Sequence, residues 1–312
     1  MHSPLTPLLG TLAITVMTIA DAAHGQDKIL PEVPEGAQAV TLSGTALFSS
    51  PPSKNALENL DKARSDYETQ SDDADSIIWL GRRLAYTGDY RAAIRVFSEG
   101  IAKHPDDARM YRHRGHRYIT IREFRRAIAD LEKAAALIEG TENETEPDGL
   151  PNALNKPISS LHGNIWYHLG LAYYLVQDWE NALRAYDNGF GVGRNDDNRV
   201  STTHWRFSIL RRMGESQKAE DVLVPIRADM EIIENMSYHR LCLFYKGELS
   251  LDELMGDAED SPAGAAVAYG VANWMATGGD PARGAQMLDA LTATEGWAGF
   301  GFIAAEADLA AR

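Results

Sequence analysis

Small and large apolar residues recur along this chain with one spacing, and the recurrence predicts pairs of amphipathic helices. Tyr90 and Phe97 flank Ala93, and 34 positions later Phe124 and Leu131 flank Ala127 in the same way. Intervals of three and four residues place these side chains on one face of a helix. A period of 34 residues holds one helix-turn-helix unit. Small residues are needed where two antiparallel helices cross, because a larger side chain would push the backbones apart.

The pattern recurs from Trp166 to Gly189 and resembles that of the tetratricopeptide repeat (TPR) family. The resemblance implies an all-α fold, a right-handed superhelical solenoid of antiparallel helix pairs over residues 54–312. About five to six repeats are expected, with a half-repeat N-terminal cap and a C-terminal closing helix over 297–312. An insertion at 142–162, which contains Pro147, Gly149, Pro151 and Pro157, breaks the helical pattern after the second repeat. The predicted repeats lie near 74–107, 108–141, 163–196, 200–233, 235–258 and 265–298.

The N-terminus has the features of a secretory signal over residues 1–25. An apolar run of 13 residues, Leu8 to Ala20, is followed by small residues. This run is shorter than the roughly 20 residues that span a membrane. Lys28 is the first Lys or Arg of the chain, and an uncleaved membrane anchor is the alternative. Residues 26–53 are predicted to form an extended arm. We therefore expect an exported protein, periplasmic in a bacterium or secreted, without stable membrane insertion after cleavage.

The charge balance narrows the range of partners. The chain has 45 Asp and Glu against 30 Lys and Arg, which gives a formal net charge of −15. A strongly acidic protein is not expected to bind nucleic acid. The single cysteine, Cys242, excludes an internal disulfide, and its position in a repeat favours packing in the core.

In the TPR family the first helix of each pair lines a concave groove. The groove positions, transferred to this sequence, are basic and aromatic although the chain is acidic. Arginine forks suit carboxylates, so the set would bind an acidic peptide. Pairing of these arginines with acidic second helices is the alternative. The predicted peptide-binding residues are Arg82, Tyr86, Arg109, Arg112, His116, Asn164, Tyr167, Tyr174, His204, Arg211, Arg212, His239 and Lys246.

The resemblance implies a non-enzymatic adaptor or scaffold of the cell envelope, with a protein or acidic peptide as its partner. The sequence contains no glycine-rich phosphate loop, nucleophile elbow, zinc-protease motif or paired-cysteine site, and we expect neither a cofactor nor a metal. A competing hypothesis is a small-ligand or metal-dependent enzyme or receptor. Its site would lie between the insertion at 142–162 and the imidazoles of His113, His116 and His168.

We predict that the exported protein is processed near Ala22 or Gly25, because the apolar run is short and small residues follow it. Intact mass and N-terminal sequencing of the protein from the cell envelope measure the cleavage point. A membrane-embedded form that retains Met1 would contradict the prediction.

Overall fold

The computed structural model describes residues 30–256 and 262–312, and its regular secondary structure is almost entirely α-helix. A short antiparallel hairpin, β1 (Ala39–Val40) with β2 (Ala46–Leu47), precedes the helices. The all-α prediction is confirmed, and the signal predicted for residues 1–25 lies outside the described residues. The helices are α1 (Lys54–Thr69), α2 (Ala74–Tyr86), α3 (Tyr90–Lys103), α4 (Ala108–Thr120), α5 (Phe124–Leu137), α6 (Leu161–Leu175), α7 (Trp179–Val192), α8 (Asp196–Arg212), α9 (Ser216–Leu223), α10 (Met236–Tyr245), α11 (Leu251–Gly256), α12 (Pro262–Gly278), α13 (Pro281–Thr292) and α14 (Phe300–Ala310).

Consecutive helices pack as pairs, and each pair packs on the next. The third and fourth pairs begin at Leu161 and Asp196, slightly before the positions that the sequence pattern suggests. The insertion between the second and third pairs has one antiparallel bridge, between Thr145 and Ser160, and is otherwise irregular.

Glycine makes close helix crossings possible in the first three pairs. In each pair, a glycine of the first helix faces a large side chain located 16 positions later on the second helix. A Cβ atom added at Gly81 would lie 2.4 Å from Phe97, and one added at Gly170 would lie 2.7 Å from Tyr186. Phe207 takes the corresponding place in the fourth pair, where it stacks on Tyr245 of the next pair with ring centroids 4.2 Å apart. The second helix of the fourth pair, α9, has only 8 residues.

The turns inside the pairs require a left-handed residue. This conformation costs glycine almost nothing but costs other L-residues about 1–2 kcal/mol. Gly88 has φ 84° in the first pair, whereas Arg122, 34 positions later, has φ 68°. The second turn therefore contains an arginine in a backbone conformation that favours glycine. The following acidic residue often caps the next helix, as Asp89 does by accepting a hydrogen bond from Ala92 N at 3.0 Å.

The C-terminal helices fold back onto the inner side of the stack. Phe302 and Ile303 of α14 share one buried cluster with Leu131 and Leu169 of the second and third pairs. The sequence predicts that residues 297–312 cover the last exposed core face. In the structure, α14 begins at Phe300 and packs on α12 and α13, the last pair. It also contacts the second and third pairs: it packs on α6, and the ring of Phe300 lies 5.3 Å from that of His116.

We predict that Gly170→Ala lowers the free energy of unfolding by about 1–3 kcal/mol, because the methyl group overpacks the crossing against Tyr186. Urea denaturation followed by circular dichroism measures the change. Gly191→Ala is the matched control on α7, since a Cβ atom there would meet nothing within 4 Å. We expect the stability of this control to be unchanged or slightly raised. Equal losses in both variants would contradict the packing explanation.

Candidate functional site

The predicted groove residues fall into several environments. Six of them line an open channel on the inner side of the stack: Arg82, Tyr86, Arg112, His116, Asn164 and Tyr167. Arg109 lies outside this channel, where its guanidinium pairs with Asp107 and Asp75, each at 2.6 Å.

A second group lies beneath the C-terminal helices. The hydroxyls of Tyr174 and Tyr269 are 2.6 Å apart. Arg211 Nη2 donates to the carbonyl of Thr277 at 2.9 Å. Arg212 forms an ion pair with Asp308 of α14. These groove positions therefore contact the protein's own C-terminal segment.

The remaining predicted residues are packed inside the fourth and fifth pairs. His204 and His239 are buried, and burial lowers the pKa of His204 to about 3. A ring nitrogen of His239 is 2.8 Å from the carbonyl oxygen of Arg227. Lys246 Nζ donates to the carbonyl of Ile226 at 2.6 Å and pairs with Glu248 at 2.8 Å. These side chains join neighbouring segments of the chain.

Carboxylates of the protein itself pair with arginines at three places on the inner side. Glu306 of α14 accepts from Arg122 Nη2 at 2.7 Å, in a pair in which both side chains are buried. Asp308 of the same helix accepts from Arg212. Glu146 of the insertion accepts from Arg112 at 3.0 Å and also from the amide of Asn164.

The channel consists of two adjoining cavities. The first, of about 190 Å³, lies between α2, α4 and the insertion. The second, of about 380 Å³, lies between α6, α8, α10 and the start of α14. Both cavities are lined by Arg112, His116, Ser159, Asn164 and Glu234, so the channel runs continuously between them.

The first cavity is rich in arginine. Arg82 Nη2 donates to Tyr86 at 3.3 Å and to the carbonyl of Pro147 at 3.0 Å, and Arg112 is paired with Glu146. Arg117 lies with its guanidinium 5.5 Å from the ring centroid of Tyr90. Burial lowers the pKa of Arg117 to about 10, so it is still charged at neutral pH. Within residues 30–256 and 262–312, no carboxylate lies within 4.0 Å of Arg82 or Arg117.

The insertion covers this cavity through close contacts. Arg83 Nη1 donates to the carbonyl of Gly149 at 2.9 Å. A Cβ atom at Gly149 would lie 2.1 Å from the hydroxyl of Tyr86, so this approach requires glycine. Not every polar atom beneath the insertion is hydrogen-bonded. Arg82 Nε, Arg112 Nε and Asp148 Oδ2 are buried without a hydrogen-bond partner. Such orphan groups reduce the net stability of the closed arrangement.

The histidines of the channel are neutral at neutral pH. Burial and the neighbouring arginines hold the pKa values of His113, His116 and His168 well below the usual range. Arg112 Nη1 donates to His113 Nδ1 at 2.7 Å, which requires an unprotonated acceptor nitrogen. The rings of His116 and His168 lie 4.2 Å apart. In the part of the chain that the structure describes, no three His, Cys, Asp or Glu side chains are placed to hold a metal.

The second cavity is lined mainly by neutral polar side chains. Tyr167 and Tyr238 join their hydroxyls at 2.9 Å, and Trp205 Nε1 donates to Tyr167 at 3.0 Å. Amides and hydroxyls can hydrogen-bond to the backbone of an extended peptide. The remaining amide- and hydroxyl-bearing side chains of the lining are Ser159, Asn164, Asn198, Ser201, Thr202 and Asn235.

Several lining residues were not in the predicted groove set. Arg117 lies on α4 beside the predicted His116 but outside the positions that the family uses. Glu146 and Asp148 belong to the insertion, whose path the helical pattern does not specify. Glu234 is positioned by Asp197 at the start of α8. The backbone N–H of Glu234 donates to Asp197 Oδ1 at 2.8 Å. Of these residues, only Arg117 could have been suggested by the sequence, because it is a charged residue on the first helix of a pair.

The paired helices, their 34-residue spacing and the glycine crossings are those of a TPR solenoid. Among solved structures, a TPR protein from Parabacteroides merdae is 15% identical over 77% of this chain and 90% of its own, with a TM-score of 0.44. YrrB, a TPR protein with an unusual peptide-binding site, is 15% identical over 74% of this chain and 91% of its own, with a TM-score of 0.43. MamA from AMB-1 is 16% identical over 55% and 95%, with a TM-score of 0.38.

No protein-family model and no curated protein matches the chain. None of the described helices is both long and apolar enough to cross a membrane.

Proposed function

We propose that this protein is an exported, non-enzymatic scaffold that binds a carboxylate-bearing segment of a partner protein in the channel. The observation that carries the proposal is the pair Arg82 and Arg117. Both line the first cavity, and neither has a carboxylate of the described chain within 4.0 Å. A guanidinium that lines a cavity and has no ion-pair partner of its own favours an anionic group of a ligand.

The protein's own ion pairs support a carboxylate as the anion. Arg112, Arg122 and Arg212 each bind a side-chain carboxylate supplied by the insertion or by α14. Arginine presents a planar fork that matches carboxylate geometry. A partner segment would use the same chemistry at the two arginines that the chain leaves unpaired.

The shape of the channel supports a peptide segment. The second cavity offers amides and hydroxyls for the backbone of the segment, and the first offers cations for its acidic side chain. Taken together, the two cavities fall in the range of pockets that hold drug-sized ligands, roughly 300–1,000 Å³. Arg82 Nε and Arg112 Nε are buried beside the first cavity without a hydrogen-bond partner, and a bound segment would supply acceptors for them.

We predict that random peptides selected on the immobilised protein are enriched in Asp and Glu. Arg117→Gln should weaken binding of a selected peptide by about tenfold or more, since a charge-assisted hydrogen bond is worth about 1.5–3 kcal/mol. Fluorescence titration measures the affinity, after circular dichroism confirms the fold. Affinity should also fall as salt rises, because an open site is screened over about 8–10 Å at physiological ionic strength.

Arg109→Gln is the matched control, because Arg109 is an arginine of the same helix that lies outside the channel. It should leave the affinity unchanged. If a folded Arg82→Gln, Arg117→Gln double variant binds the selected peptide as tightly as the original protein, the channel is not the binding site.

A further inference from the structure

We infer that the first cavity is also a binding site for a small zwitterion of the α-amino-acid type. This inference goes beyond the proposed peptide function and shares only Arg82 and Arg117 with it. It rests on unpaired charges of both signs that line one small cavity.

The cationic side of the cavity is formed by Arg82 and Arg117. The anionic side is formed by Asp148 and Glu234, which line the same cavity. Asp148 accepts from the backbone of Leu150 at 3.0 Å, and Glu234 accepts from the amide of Asn152 at 2.6 Å. Across the described ranges, no Lys or Arg nitrogen lies within 4.0 Å of either carboxylate.

These four charges are therefore close enough to share a cavity but are not paired with each other. A small anion in this cavity would pair with the arginines but would also lie near two carboxylates of like charge. A small cation would pair with the carboxylates but would lie near two arginines of like charge. A ligand that carries a carboxylate and an ammonium group meets both requirements at once, because each pole has an unpaired protein charge to contact.

The other charged groups of the lining do not alter this balance. Arg112 and Glu146 neutralise each other at 3.0 Å. His113 and His116 are held neutral at neutral pH by burial and the nearby arginines. The lining thus carries three arginines and three carboxylates, with no net charge.

The size of the cavity also fits a small ligand. About 190 Å³ is below the volume of typical drug-sized pockets, roughly 300–1,000 Å³. It accommodates one amino acid more readily than several residues of a folded segment. The apolar part of its lining, with Ala85, Phe97 and Ile158, can contact a short aliphatic side chain.

The test is a thermal-shift and calorimetric comparison on the full chain. The probes are the common L-amino acids, together with propionate and ethylamine as matched compounds that each lack one pole of alanine. We expect one or more amino acids to raise Tm, since a ligand that binds only the native state stabilises it by RT ln(1 + [L]/Kd). For a small aliphatic amino acid, each single-pole compound should bind at least about tenfold more weakly.

Variants separate this site from the peptide site. Asp148→Asn should weaken amino-acid binding by about tenfold or more while leaving acidic-peptide binding unchanged or tighter. Arg117→Gln should weaken both, and Arg109→Gln should weaken neither. The inference is overturned if no amino acid stabilises the protein, if propionate binds as tightly as alanine, or if Asp148→Asn binds amino acids normally.

Discussion

The buried ion pair between Arg122 and Glu306 is the interaction on which the shape of this protein depends. It joins the turn of the second helix pair to the C-terminal helix, 184 positions away along the chain. The carbonyl of Trp297 also accepts from Arg122, at 2.9 Å, and Glu306 accepts from the backbone of Leu42 in the N-terminal hairpin. Three distant segments therefore meet at one charge pair. Burial of both ions is costly unless their remaining hydrogen-bonding groups have partners. The contacts with Trp297 and Leu42 supply such partners.

This closure decides what the inner face of the solenoid can bind. In an open solenoid, the arginines and tyrosines of the first helices would all be available to a ligand. Here Tyr269 of α12 contacts Tyr174, Asp308 of α14 pairs with Arg212, and the insertion engages Arg112. The channel that remains runs from the first helix pair to the fifth. In its first cavity, Arg82 and Arg117 form no ion pair with a carboxylate of the described residues. The site that we propose is thus defined by what the chain itself leaves unpaired.

The sequence pattern predicts the helix pairs because their determinants are local. Gly81, Gly115 and Gly170 each precede a large partner by 16 positions, and this spacing follows from antiparallel packing of two short helices. The role of Arg122 is not local. Its left-handed backbone conformation is explained only by its ion pair with Glu306, which lies far away in the sequence. For the same reason, transferred groove positions identify Arg212 as inward-facing but cannot indicate that Asp308 covers it.

A double-mutant cycle of Arg122→Met and Glu306→Gln, measured as free energies of unfolding, tests this closure most directly. Breaking a buried pair from one side leaves an uncompensated charge, so each single variant should lose about 3–5 kcal/mol. The double variant should lose clearly less than the sum, with a coupling energy of about 1 kcal/mol or more. Small single losses that add in the double variant would contradict the account, because the C-terminal helix would then not depend on this pair.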